Sequence, residues 1–175
     1  MDAVAELGQP APDFALESIG GQRYSLGDAK GKIVVLNFWS AECPWSEKAD
    51  EQIRQSGFNQ ESEEGVLHWR IAANVNESIE NLQVAAETRS VAPVLVDEEH
   101  HVADLYGAVT TPHIFVIDGN GILRYRGALN DATWRDPEPT RSYLIEAVSA
   151  AREGGSPDPA ETPGRGCSIV RHNWD

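Results

Sequence analysis

Seven consecutive residues, Ile33-Val34-Val35-Leu36-Asn37-Phe38-Trp39, carry a single polar side chain. A nearly unbroken apolar run of that length suits a strand covered on both faces, as in a parallel or mixed sheet flanked by helices. Three further runs read as strands: Val66 to Val75, Val94 to Val96, and His113 to Ile117. Ile122 to Arg126 follows the last of these across Asp118-Gly119-Asn120-Gly121, a set of turn residues, so the two segments predict a hairpin. An earlier hairpin is expected where Phe14–Ser18 and Gln22–Ser25 flank Gly20-Gly21. Pro10-Ala11-Pro12 is an extended entry segment, and Gly27 to Gly31 a short connection. Helix is predicted over Pro44–Phe58, with proline in its first turn, and over Glu77–Thr88, with Ile79, Leu82 and Ala86 on one face. His101–Tyr106, ended by Gly107, and Thr140–Arg152 complete the helices. From Glu153 onward Gly, Pro and Ser dominate, the composition of a tail rather than of a second domain. Alternating strands and helices predict a layered α/β fold with a central mixed sheet, flanking helices and an N-terminal β-hairpin. The expected division is a domain over residues 1–152 and a Gly/Pro-rich tail over 153–175.

Charge narrows the partners. The 28 acidic residues outnumber the 14 basic ones, for a formal net charge of −14. Such a surface repels phosphate backbones and anionic lipid, so neither nucleic acid nor a membrane is expected as partner. No apolar run approaches the roughly 20 residues a membrane-spanning helix needs. Met1 to Glu6 shows no basic segment and no long apolar stretch, which leads to the expectation of a cytoplasmic protein. Cys43 and Cys167 are the two cysteines, too few for a disulfide scaffold in 175 residues.

Cys43 lies where the first buried strand hands over to the first long helix, followed at once by Pro44. A thiol there meets the positive end of a helix dipole and unpaired N–H groups, and Cys43 is expected to be at least partly accessible, with its sulfur at a sheet edge open to a partner. In such places cysteines ionise at about pH 3.5–7.5 instead of about 8.5, and the thiolate is the nucleophile. The other candidates are weaker. His100-His101 beside Glu98 and Glu99 suggests a metal, but adjacent helical residues point in different directions, and a solvated face is the expectation. Gly119-Asn120-Gly121 is a turn, and no phosphate loop occurs. No cofactor and no metal are therefore expected. Asn76-Glu77-Ser78 is formally a glycosylation sequon, without consequence in a cytosolic chain. Trp39, Trp45 and Trp69 suit the core, with Trp45 beside the thiol also suited to contacting partners.

The segment Val35-Leu36-Asn37-Phe38-Trp39-Ser40-Ala41-Glu42-Cys43-Pro44-Trp45-Ser46 resembles the active-site stretch of thioredoxin-like proteins, in particular the alkyl hydroperoxide reductase/thiol-specific antioxidant (AhpC/TSA, peroxiredoxin-like) branch. Ala11-Pro12-Asp13-Phe14, Gly31-Lys32, Thr111-Pro112 and Asp118-Gly119-Asn120-Gly121 fall where that family has them, and Pro163-Gly164-Arg165-Gly166-Cys167-Ser168-Ile169 is similar to the tail of one subgroup. The resemblance implies a thioredoxin fold. It implies thiol-based oxidoreductase chemistry on a protein or small-molecule disulfide, or on a peroxide, with a reducing thiol as co-reactant. It implies a cis Pro112 facing the nucleophile, with the backbone of Thr111 beside Cys43, where a substrate chain pairs as an added strand. Around Cys43 the implied site also includes Ser40, Pro44, Trp45 and Ser46. Four departures stand out. Ser46 replaces the second cysteine of C-x-x-C, Asn37 the acidic proton acceptor, and Glu42 the tryptophan before the nucleophile. Pro112 takes the place of the peroxide-activating arginine. Two functions follow from different classes. In the first, Cys43 attacks and Cys167 resolves from the tail. In the second, the chain is a monothiol binding module without turnover. Cys167 is equally readable as a surface cysteine with no partner or one that pairs between chains.

Overall fold

The computed structural model describes residues 4–57 and 65–172. The expected end of the first helix at Phe58, the first three residues and the last three of the tail lie outside them. A hairpin of β1 (Ala15–Glu17) and β2 (Arg23–Ser25) leads through a 3₁₀ turn, Leu26–Ala29, into β3 (Ile33–Trp39). Then come α1 (Pro44–Ser56), β4 (Val66–Ala72), α2 (Ile79–Arg89), β5 (Val94–Val96) and α3 (His101–Tyr106). The chain continues through β6 (Thr110–Thr111), β7 (His113–Ile117), β8 (Leu123–Gly127) and α4 (Tyr143–Arg152) and ends on β9 (Cys167–Ser168).

Five strands form the central sheet in the order β5-β4-β3-β7-β8. β3 pairs parallel with β4 and antiparallel with β7, so the sheet is mixed. This is the thioredoxin arrangement, with β3 at its centre and every one of its residues buried. The alternation of a strand sends Val34, Leu36 and Phe38 to one face, into a cluster with Phe14, Tyr106 and Phe115. Ile33 and Val35 point the other way, against Ala49 and Ile53 of α1 and Leu144, Ala147 and Val148 of α4. Each such side chain removed from water contributes about 1.5–3 kcal/mol, so the strand that leads to Cys43 is held from both faces.

Where the starts of two helices differ from the expected ones, side-chain capping accounts for it. Ser78 accepts the N–H of Asn81 and starts α2 at Ile79, leaving Glu77 outside the helix. Ser142 accepts from Ile145 and starts α4 at Tyr143. Ala73 to Val75, expected to continue β4, turn away to meet the C-terminal segment, with Val75 N–H donating to Val170.

That segment is laid across the domain. The Thr162 N–H donates to the Arg126 carbonyl, the Arg126 N–H donates to the Ala160 carbonyl, and the Thr162 hydroxyl accepts the N–H of Ala128 at 2.8 Å. Arg165 donates to the carbonyls of Asp131 and Ala132. Ile169 is buried in the main core cluster, and Arg171 pairs with Asp104 at 2.8 Å. Among the described residues, no helix is long and apolar enough to cross a membrane.

Candidate active site

Cys43 is the N-cap of α1, with extended backbone, and its carbonyl accepts the N–H of Glu47 at 3.1 Å. Pro44 occupies the first helical turn, where a missing N–H costs nothing. The sulfur lies 3.2 Å from the carbonyl oxygen of Thr111, and the Thr111–Pro112 peptide is cis. Strand pairing between β3 and β7 brings the two segments together: Phe38 lies opposite His113, which places the end of β3 against the Thr111-Pro112 turn.

The loop ahead of the cysteine is fastened by side chains. The Ser40 hydroxyl accepts the N–H groups of Glu42 and Cys43, at 3.2 and 3.1 Å, and donates to Glu77 at 2.7 Å. The other carboxylate oxygen of Glu77 accepts the N–H of Ala41. Ser46 is wholly buried and accepts the N–H of Ser40 at 3.0 Å, so the position of a second motif cysteine is filled by a hydrogen-bonding group. On the other side Arg89 donates to the carbonyls of Ser40 and Ala41 at 3.0 and 2.6 Å and stacks over Trp39. Beneath this lies Asp50, almost fully buried, accepting from Trp39 Nε1 at 2.7 Å and facing Arg70 and Arg89 at 3.2 and 3.4 Å. Burial pushes the Arg70 guanidinium down from its ordinary pKa and Asp50 pushes it back up. Asn37 is fully buried in β3 and lies across the sheet from Arg70 and Ile114.

Cys167 is joined to Cys43 in a disulfide, with a Cα–Cα distance of 6.3 Å across a sequence separation of 124. Of the ways left open for the tail cysteine, the structure holds the pairing within one chain. β9 delivers it by pairing antiparallel with β6, Thr111 opposite Cys167 and Thr110 opposite Ser168. The expectation of a partly accessible Cys43 on an open strand edge is corrected here: Cys43 is 3% exposed, because the tail covers it and takes the edge. Gly166 makes the approach possible. A Cβ there would sit 2.1 Å from the Thr111 carbonyl oxygen, a distance no side chain tolerates.

Trp45 is half-buried and shares a small cleft with Pro112, Ala132 and Arg165. His100, expected on a solvated face, is buried with Nδ1 2.8 Å from Asp104, whereas His101 is exposed. Among the described residues no group of three or more His, Cys, Asp or Glu is placed to hold a metal ion. Glu77, Arg89 and Asp50 were not legible as site residues from local pattern. One signal bears on Glu77: in open α/β sheets, sites form at the carboxyl ends of parallel strands, and residues 73–78 follow β4, the parallel neighbour of β3.

Residues 7–126 match the AhpC/TSA family. The chain belongs to that family. Within it, this AhpC/TSA protein is 33% identical over 119 residues to the thiol-disulfide oxidoreductase ResA of Geobacillus thermodenitrificans, covering 67% of each chain. It is 33% identical over 139 residues to the thiol:disulfide interchange protein DsbE of Escherichia coli K12, covering 75% of this chain and 71% of the relative. A crystal structure of an uncharacterized protein from Geobacillus kaustophilus superposes with a TM-score of 0.84 at 29% identity, covering 97% of this chain and 94% of that one. That last match reaches into the tail, beyond the segment the family match covers.

Proposed function

We propose that this AhpC/TSA protein is a thiol-disulfide oxidoreductase in which Cys43 is the nucleophile and Cys167 the resolving thiol. The observation that carries the reading is the delivery of Cys167 to Cys43 by a strand of the same chain. The names of the relatives, ResA and DsbE, point to the same chemistry. In the reduced protein the Cys43 thiolate, stabilised by the amino end of α1, attacks one sulfur of a partner disulfide. A bond forms between Cys43 and that sulfur, the partner's S–S bond breaks, and the second partner sulfur leaves as thiolate. The Cys167 thiolate then attacks Cys43, closes the internal disulfide and expels the first partner sulfur. The partner disulfide has gained two electrons and the cysteine pair has lost them; an external dithiol returns the pair to the reduced state.

In this reading residues 1–152 carry the nucleophile and 153–175 the resolving cysteine. Thr111 and Pro112 flank the reacting sulfur, Ser40 and Ser46 hold the loop ahead of it, Pro44 starts the helix, and Trp45 borders the approach. Disulfide is favoured over peroxide as substrate, because Arg89 spends its donors on the Ser40 and Ala41 carbonyls and on Asp50, and Pro112 stands where a peroxidase has its arginine. The cytoplasm, with its pool of small thiols, is a fitting setting, and the acidic surface leaves nucleic acid and membrane lipid aside.

Acid-quenched mass spectrometry of the reduced chain mixed with oxidised glutathione tests this. Wild type is expected to end two hydrogens lighter, and Cys167→Ser to accumulate one glutathione on Cys43. Unchanged turnover in Cys167→Ser would move resolution elsewhere, and a wild type that holds one glutathione on Cys43 without closing the internal disulfide would favour the monothiol module. Faster oxygen addition from hydrogen peroxide than glutathione capture would make peroxide the substrate.

A further inference from the structure

We propose that the tail and the polypeptide substrate take turns on one strand edge, so that the return of Cys167 both resolves the mixed disulfide and ejects the product. The proposal rests on the exchange reading above. It goes further by assigning β9 as a tethered stand-in for the substrate strand, so that the two exclude each other from the edge.

The edge is small and singly occupied. β6 pairs with β9 in a two-stranded sheet of its own, so among the described residues Thr110 and Thr111 pair with the tail and with no other strand. The cysteine arrives on that strand, with Gly166 before it packed on the Thr111 carbonyl and 3.1 Å (from its would-be Cβ) short of Pro112. Where a Cβ does not fit, a second main chain does not fit beside the first. Anything that presents a sulfur to Cys43 from an extended backbone must therefore use the same edge with the tail gone. Two anchors mark the tail as a recognised sequence rather than a passive cover. Ile169, two residues after the cysteine, is buried in the main core cluster while its N–H donates to Val109. Arg165, two residues before it, donates to the Asp131 and Ala132 carbonyls. The pattern that best replaces it has glycine just before the cysteine and an aliphatic residue two places after.

The chemistry makes the exchange obligatory. With substrate bound, Cys43 is in a mixed disulfide and its sulfur is held beside β6 by the substrate strand. For the Cys167 thiolate to reach Cys43, β9 must form again on Thr110 and Thr111, and the substrate strand must leave. The new S–S bond joins Cys43 and Cys167, the old one breaks, and its electron pair departs on the product sulfur, which takes a proton from solvent.

The test uses the full chain with Cys167→Ser, alone and combined with Gly166→Ala. The probe is a synthetic Pro-Gly-Arg-Gly-Cys-Ser-Ile-Val peptide whose cysteine is in a mixed disulfide with thionitrobenzoate. Release of thionitrobenzoate reports attack by Cys43. The added Cβ bars the tail from the edge, and the expected result is a rate about tenfold or more above Cys167→Ser alone, since a site blocked most of the time reacts only in its open fraction. Hydrogen exchange on the Cys167→Ser chain carrying the peptide supplies the second readout. The amides of Ile169 and Val170, protected in the peptide-free chain, are expected to lose protection. Formation of the peptide adduct with those amides still protected overturns the shared edge and leaves the exchange reading intact. No adduct with either variant overturns the exchange reading itself.

Discussion

His113 shows how far one residue's environment departs from its appearance in the sequence, where it opens an ordinary apolar strand. Its ring is buried, accepts the N–H of Val109 on Nδ1 at 3.1 Å, and lies beneath the tail at Gly164. Desolvation, helped by the charge of Arg126 and opposed by Glu161, pushes its pKa down to about 4 from 6.5. The folded protein therefore refuses a proton that the unfolded chain accepts. Above about pH 6.5 both states are neutral there and the group has no effect; as the pH falls toward 4, stability is lost. At 1.36 kcal/mol per pH unit, the wild type loses about 2–3 kcal/mol from this group between pH 7 and pH 4.5. His113→Asn keeps an acceptor for Val109 and removes the titration. Denaturant midpoints at the two pH values should converge in the variant relative to wild type, and an equal loss in both proteins would put the effect elsewhere.

At the scale of elements, α1 is tied to the sheet by charge as well as by its apolar face. Asp50 on α1 meets Arg70 on β4 and Arg89 at the end of α2, and all three are largely out of water. Removing Asp50 leaves both arginines out of water with no carboxylate opposite them. Asp50→Leu is expected to cost about 3–5 kcal/mol, while Asp50→Leu combined with Arg70→Met costs much less than the two single losses together. Chemical denaturation of the four proteins in that cycle measures the coupling, and strict additivity would show that the pair does not interact. This contact also illustrates what the sequence hides. The strands at 33–39, 94–96 and 113–117 were legible because a buried strand needs a run of apolar residues bounded by turn formers. Asp50, Arg70, Glu77 and Arg89 have no such signature, since a charged residue reads as surface until a partner from a distant element is placed against it. β6 and β9 were missed for a related reason. Two residues each, they exist through pairing between segments more than fifty residues apart, and neither carries a periodic pattern. Cys43 was visible because its chemistry is local, a thiol at a strand–helix junction, whereas Thr111-Pro112 entered the site through the family resemblance and not through any local pattern.

For the molecule as a whole, the tail converts a redox event into a change of stability. The Cys43–Cys167 bond closes nearly three quarters of the chain into one loop. In the chain-entropy model a loop of that length restricts the unfolded state by about 5 kcal/mol, an upper figure when the reduced tail keeps its other contacts. Those contacts are spread along the segment, from Thr162 on β8 through Ile169 in the core to Arg171 on Asp104, so reduction removes the constraint without removing the docking surface. For a chain of this size each kcal/mol moves the melting temperature by about 2–4 °C. Reduced wild type is expected to melt roughly 10–20 °C below the oxidised protein, with Cys167→Ser matching the reduced wild type under either condition. Calorimetry with and without an excess of dithiol measures this, repeated at two protein concentrations to exclude a bond between chains. Equal melting temperatures would mean that the tail is held by its non-covalent contacts alone. In that case reduction would not loosen it, and substrate would have to compete with a tail as firmly seated in the reduced protein as in the oxidised one.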